Sequence, residues 1–159
     1  MNLIDQIPEV TRRVLADAPS GTVGVELARS FAASGRELWE AITEADRREI
    51  WFGPAEAKVI ACEPEELLRV KWEGGILEIA FADNTLTLTH TFPRDELWDT
   101  YGPALAGIDW DTALASLSLH LAMDAESDEG EEETFIRRLA EEWSVDKQQA
   151  QRAVNLFLE

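Results

Sequence analysis

Disulfides, membrane spans and metal cages are what this 159-residue chain has least material for. Cys62 is its only cysteine, which excludes an internal disulfide and any multi-cysteine zinc site. No apolar run approaches the ~18–20 residues of a bilayer-spanning helix. The start, Met1-Asn2-Leu3-Ile4-Asp5, lacks the basic beginning and long apolar centre of a secretion signal. Histidine is scarce too. His90 and His120 are thirty residues apart, with no carboxylates at matching spacing, a poor basis for a metal site. Bases are few: 14 Lys and Arg face 32 Asp and Glu, a net charge of −18. Such a field repels nucleic-acid backbones and anionic membrane surfaces. The expectation is a cytoplasmic protein with no metal, no cofactor, no nucleic-acid partner and no membrane partner.

What is present suffices for a core. Apolar residues make up 45% of the chain, and its length suits one domain with appendages. Leu3, Ile7, Val10 and Val14 are spaced four, three and four, which predicts a helix in an N-terminal arm, residues 1–21. Pro8 suits the first turn of such a helix. Val23, Val25, Leu27, Arg29 and Phe31 then share one face of a strand. Ser34, with Glu37 three residues on, reads as a capping box for a helix holding Leu38, Trp39 and Ile42. Thr43 is placed to cap a second short helix through Ile50.

After Gly53-Pro54 the period becomes two. Ala57–Cys62 reads as a strand. Leu68, Val70 and Trp72, then Leu77, Ile79 and Phe81, then Leu86, Leu88, His90 and Phe92 form the inner faces of three more. Gly74-Gly75 and Asp83-Asn84 mark the turns between them. From Asp109, read as an N-cap, the period returns to 3.6, with Trp110, Leu114, Leu117 and Leu121 in one stripe. Residues 124–133 read as an acidic linker. Two helices follow, one marked by Phe135, Leu139 and Trp143, the other capped by Ser144 or Asp146. Residues 124–159 hold eleven acids against four bases, which argues against DNA binding by their faint helix-turn-helix pattern.

The segments Arg29-Ser30-Phe31, Leu38-Trp39-Glu40-Ala41-Ile42-Thr43, Trp51-Phe52-Gly53-Pro54 and Leu86-Thr87-Leu88-Thr89-His90-Thr91 carry a family likeness, joined by Trp110 with Leu114, Leu117 and Leu121. Residues 22–123 resemble the homologues of the activator of the 90-kDa heat-shock chaperone ATPase, within the START-like, or SRPBCC, superfamily. The resemblance implies an α+β helix-grip fold: a curved antiparallel sheet wrapped on a long C-terminal helix, with an apolar cavity between. The hairpin usual after the Trp-Phe-Gly-Pro turn is missing, so about five strands are expected, with the acidic extension 124–159 outside the likeness.

By parity and by the resemblance, the cavity candidates are Arg29, Trp51, Trp72, Phe81, Leu88, His90, Trp110, Leu114 and Leu117. Large aromatics at core spacing are more often core than pocket. A lone histidine on an apolar face is more often satisfied by a neighbour than poised for chemistry. A buried arginine more often pairs internally than waits for a ligand carboxylate. Cys62 has no base near it in sequence, so no nucleophile is expected. The leading expectation is a non-enzymatic domain that binds a small hydrophobic molecule. The alternative is a protein-interaction or co-chaperone-like module acting through its terminal helices, as monomer or homodimer. A cyclase-like or hydrolase-like enzyme would need more converging polar groups than Arg29, His90 and Asp109 supply.

Overall fold

The computed structural model describes residues 3–16, 21–44, 58–72, 74–121 and 129–159. A six-stranded antiparallel sheet has the order β1-β2-β6-β5-β4-β3. The strands are β1 (Val10–Leu15), β2 (Thr22–Ser30), β3 (Lys58–Glu63), β4 (Leu67–Trp72), β5 (Gly75–Ala82) and β6 (Thr85–Pro93). The meander β3–β6 follows the alternation read from the sequence. Val70, Trp72, Leu77, Ile79, Leu86, Leu88 and His90 are buried on one face, with threonines half-exposed on the other side of β6.

The N-terminal segment corrects the expectation of a helical arm. Ile4–Glu9 is a 3-10 helix, and Val10–Leu15 pairs with β2 from Val10↔Arg29 to Leu15↔Gly24. Spacings of four and three fit a helix, but Val10, Arg12 and Val14 also alternate. Pro8 removes a backbone donor where a helix would need it, and β-branched Val10, Thr11 and Val14 favour a strand. An open β2 edge supplies the partner. The sheet therefore has six strands rather than about five.

Two glycines flank β6 where backbones come closest. A Cβ on Gly24 would lie 2.1 Å from the His90 carbonyl oxygen, and one on Gly75 would lie 2.3 Å from that of Thr91. Only glycine fits such an approach. Both sit beside the stretch His90–Phe92, at the end of the sheet where the main pocket opens.

Five α-helices are described. In α1 (Gly35–Thr43), the Ser34 hydroxyl accepts from the Glu37 N–H at 3.1 Å, as the capping pattern predicts. Thr43 does not cap a second helix: it is the last residue of α1, and its hydroxyl donates to the Trp39 carbonyl at 2.7 Å; residues 45–50 of the expected second helix and the Trp51–Pro54 turn lie outside the described residues. Helix α2 (Glu96–Tyr101) was not expected. Asp95 caps it, accepting from the Trp98 N–H at 3.0 Å, and Gly102 ends it with φ 65°. Helix α3 (Ala104–Leu121) begins right after Pro103, so Asp109 is an exposed residue inside it rather than its cap. Its 18 residues span about 27 Å.

Helix α4 (Glu129–Glu142) starts inside the acidic run, so residues 129–133 are helix, not linker; residues 124–128 are not described. Acidic side chains at a helix N-terminus complement its dipole. Helix α5 (Lys147–Phe157) is capped by Asp146, which accepts from the N–H groups of Gln148 and Gln149 at 2.8 and 3.0 Å.

The terminal helices share the domain core. Phe135, Leu139 and Trp143 are buried in the same cluster as Leu88, Ile108 and Leu114. Trp143 lies over Gly107 so closely that a Cβ there would be 2.4 Å from its ring. Its Nε1–H donates to Asp111 Oδ2 at 2.6 Å. Arg12 grips the same carboxylate with two bonds, 2.9 and 2.8 Å, and also donates to the carbonyls of Ile7 and Val10. Burial pushes the Asp111 carboxyl upward, opposed by the Arg12 guanidinium. One buried carboxylate thus ties β1, α3 and α4 together.

Candidate ligand pocket

A pocket of about 740 Å³ opens where the end of the sheet meets four helices. Strand β4 contributes Trp72, and β6 contributes His90 and Phe92. Helix α2 supplies Leu97 and Trp98, and α3 supplies Ala106, Asp109, Trp110 and Ala113. Ile136 of α4 and Phe157 of α5 complete the apolar wall. The volume falls within the roughly 300–1,000 Å³ of small-molecule sites.

Five of these rings form one chain. Trp72 and Trp110 are tilted at 5.8 Å between centroids; Trp110 meets His90 edge-on at 5.6 Å. His90 contacts Phe92 at 5.0 Å, and Phe92 meets Trp98 edge-on at 5.8 Å. Alternation on β4 and β6 aims Trp72, His90 and Phe92 to the helix side, and α3 carries Trp110 across to them. Edge-to-face and tilted pairs are the favoured aromatic geometries.

His90 is the polar centre of this chain. It is 6% exposed, and its Nδ1 accepts from the Trp110 Nε1–H at 3.0 Å. The proton of the neutral ring therefore sits on Nε2, which has no hydrogen-bond partner. Burial lowers its pKa to about 4, and the Trp72 backbone offsets a little of that; the Nε2 position still lacks a bond of ordinary geometry. His90 is uncharged at neutral pH.

Of the sequence-derived candidates, Trp72, His90 and Trp110 line the pocket. Leu88, Leu114 and Leu117 are fully buried core beneath it, and half-buried Phe81 packs on Trp39 at 5.6 Å. Trp51 lies outside the described residues. Arg29 is not at the pocket: it donates to Gln6 Oε1 at 2.9 Å and Ser118 Oγ at 3.0 Å, with its guanidinium over the Phe31 ring. Burial lowers its pKa, and its Nε and the Gln6 Nε2 lack partners. Arg29 thus pairs internally, without a carboxylate. Trp98, which the sequence reading takes as core, also lines the pocket, and sequence reasoning missed Leu97, Ile136 and Phe157. The Asp95 cap signal was available for α2, but no local signal brings α4 and α5 to this wall.

A second hollow of about 640 Å³ shares Trp72, Gly74, Phe92 and Pro93 with the first and extends past Lys58 and Lys71. Among the described residues no group of His, Cys, Asp and Glu could hold a metal ion, and no helix is long and apolar enough to cross a membrane.

No family model matches the chain, and no curated protein matches it. Solved structures do. The conserved protein of unknown function EF2215 from Enterococcus faecalis is 17% identical with a TM-score of 0.67, over 88% of this chain and 93% of that one. The crystal structure of CalU16 from Micromonospora echinospora is 18% identical with a TM-score of 0.64, over 92% and 98%. A protein from Rhodobacter sphaeroides is 15% identical with a TM-score of 0.55, over 71% and 99%. The first two matches leave fewer residues uncovered than 124–159 contain, so part of the C-terminal extension belongs to the shared fold. At these identities the likeness is one of fold, and fold alone does not fix function.

Proposed function

We propose that this protein is a non-enzymatic domain of START-like, helix-grip plan that holds a small hydrophobic molecule between the end of its sheet and α3. The carrying observation is the continuous chain Trp72–Trp110–His90–Phe92–Trp98 along a pocket of about 740 Å³. The aromatic faces supply the affinity.

Two further points support the reading. The order β2-β6-β5-β4-β3 within the sheet, with α3 following β6 and the short α2, is compatible with a helix-grip plan. A histidine with a pKa of about 4 is a weak base near neutrality, and no second titrating group bonds to it, which disfavours acid–base catalysis. The apolar faces of α4 and α5 are buried in the chain's own core, which leaves the co-chaperone-like alternative less surface to act through. A cytoplasmic location goes with this reading, in keeping with the scarcity of cysteine.

Thermal-shift screening of lipids and aromatic metabolites tests the proposal. Stabilisation of wild type that is lost on Trp110→Leu supports it. Stabilisation by none of the panel sinks it.

A further inference from the structure

Among the described residues the sheet ends in β1 on one side and β3 on the other, and the two edges are built differently. At β1, Val10 is buried and Val14 and Leu15 are half-buried. At β3, every residue but Ala61 is exposed, including Val59 at 56% and Ile60 at 46%. The free N–H and C=O groups of an edge strand are a template for another strand, and exposed apolar side chains strengthen the invitation. Register with β4 shows which way the β3 side chains face. Lys58 opposes Lys71, Val59 opposes Val70, Cys62 opposes Leu68 and Glu63 opposes Leu67, with a one-residue slip between Val59 and Ala61. Val70 is buried and Lys71 exposed, so Val59 and Cys62 lie on the helix side of the sheet, and Lys58 and Glu63 on the other. Without the slip, Lys58 and Glu63 would face opposite ways. With it, each half of β3 carries one outer charge, of opposite sign, and one inner apolar group. Lys58 and Lys71 are like charges directly opposite one another, a destabilising pair. Among the described residues neither lysine has an ion pair, and neither does the Glu63 carboxylate.

We propose that the chain pairs with a second copy of itself through antiparallel β3 strands, about a two-fold axis perpendicular to the sheet. Lys58 then opposes Glu63 of the partner subunit, and Val59 opposes Cys62 of the partner subunit. Charge chooses this occupant and this register. Each Glu63 lands beside a Lys58–Lys71 pair and gives it a counter-charge. The faces agree in the same register, since both pairings join side chains on one side of the sheet. A register with Cys62 opposite itself also matches faces but makes no charge pair. The two-fold pairing closes on itself and joins the two six-stranded sheets into one. It does not depend on what the pocket holds.

Sedimentation velocity of the full chain over about a hundredfold range of concentration tests this, at about 0.15 M salt, where charges more than about 8 Å apart are largely screened. Wild type should pass from monomer to dimer as concentration rises. Lys58→Glu or Glu63→Lys alone turns both symmetry-related attractions into repulsions and should weaken the dimer about tenfold. The two changes together remake both pairs and should restore it. Val59→Lys, at a position already in water, should leave the melting temperature near that of wild type and remove the dimer. A chain that stays monomeric throughout overturns the proposal; protection of the β3 amides from hydrogen exchange in that monomer would assign the edge to residues 45–57 of the same chain. A dimer indifferent to the single charge reversals, or one that the double reversal does not restore, also overturns it.

Discussion

Gly107→Ala tests how the C-terminal helices are joined to the sheet domain. In the interior of an ordinary helix this change is stabilising by about 1 kcal/mol, because alanine has the higher helix propensity. Here the new Cβ would lie 2.4 to 2.6 Å from three atoms of the Trp143 ring. Carbon atoms need about 3.5–4 Å, so the ring must retreat by about 1 Å. It has little freedom to do so. Trp143 is 1% exposed and its Nε1 is held by Asp111 at 2.6 Å. Overpacking of this kind costs about 1–3 kcal/mol, so the usual gain is cancelled or outweighed and the net loss is up to about 2 kcal/mol. Urea unfolding followed by tryptophan fluorescence measures it. The same change in a Trp143→Leu background should cost much less, giving a coupling of at least about 1 kcal/mol in the double-mutant cycle. A Gly107→Ala protein more stable than wild type would refute the seating of α4 on α3.

Other outcomes follow from the same structure. Because the folded pKa of His90 lies below its ordinary value, the stability it permits is present above about pH 6.5 and is lost as pH falls toward 4. From pH 8 to pH 5 wild type should lose about 2 kcal/mol more than His90→Gln, and parallel urea curves would contradict this. Arg12→Met strands the buried Asp111 carboxylate and should cost about 3–5 kcal/mol, whereas Arg29→Met, which strands no carboxylate, should cost clearly less by the same assay. Deleting residues 124–159 removes Phe135, Leu139 and Trp143 from the core and should abolish near-ultraviolet circular dichroism; a truncated chain with a native spectrum would show those helices to be separable.

Period-two alternation made β2, β4, β5 and β6 readable, because one face of each packs on the core, whereas β3 is an edge strand exposed nearly throughout and was legible only as an apolar run between turns. Strand β1 was not readable, since Leu3, Ile7, Val10 and Val14 fit a helix as well as a strand. What decides is the free β2 edge beside it, a tertiary fact. Helix α3 begins six residues earlier than its apolar stripe suggests, because Pro103 and not Asp109 precedes its first turn. For the pocket, parity identified the face but not the depth. His90 and Leu88 share a face, yet His90 lines the opening while Leu88 lies beneath it. Trp98, Ile136 and Phe157 reach the wall only through the packing of three separate helices, which no local spacing encodes.

The central claim is that a small molecule occupies the space among Trp72, Trp110 and Trp98. Ala106 is half-buried on the α3 wall of that space, and Ala106→Phe would fill it with little change elsewhere. The direct measurement is the melting temperature of wild type and Ala106→Phe with and without each member of the panel of lipids and aromatic metabolites. Ligand at a hundred times its Kd should stabilise wild type by about 2.7 kcal/mol, a shift of several degrees. Ala106→Phe should melt near wild type and show no shift. An equal shift in both proteins, or none in wild type, would contradict the account.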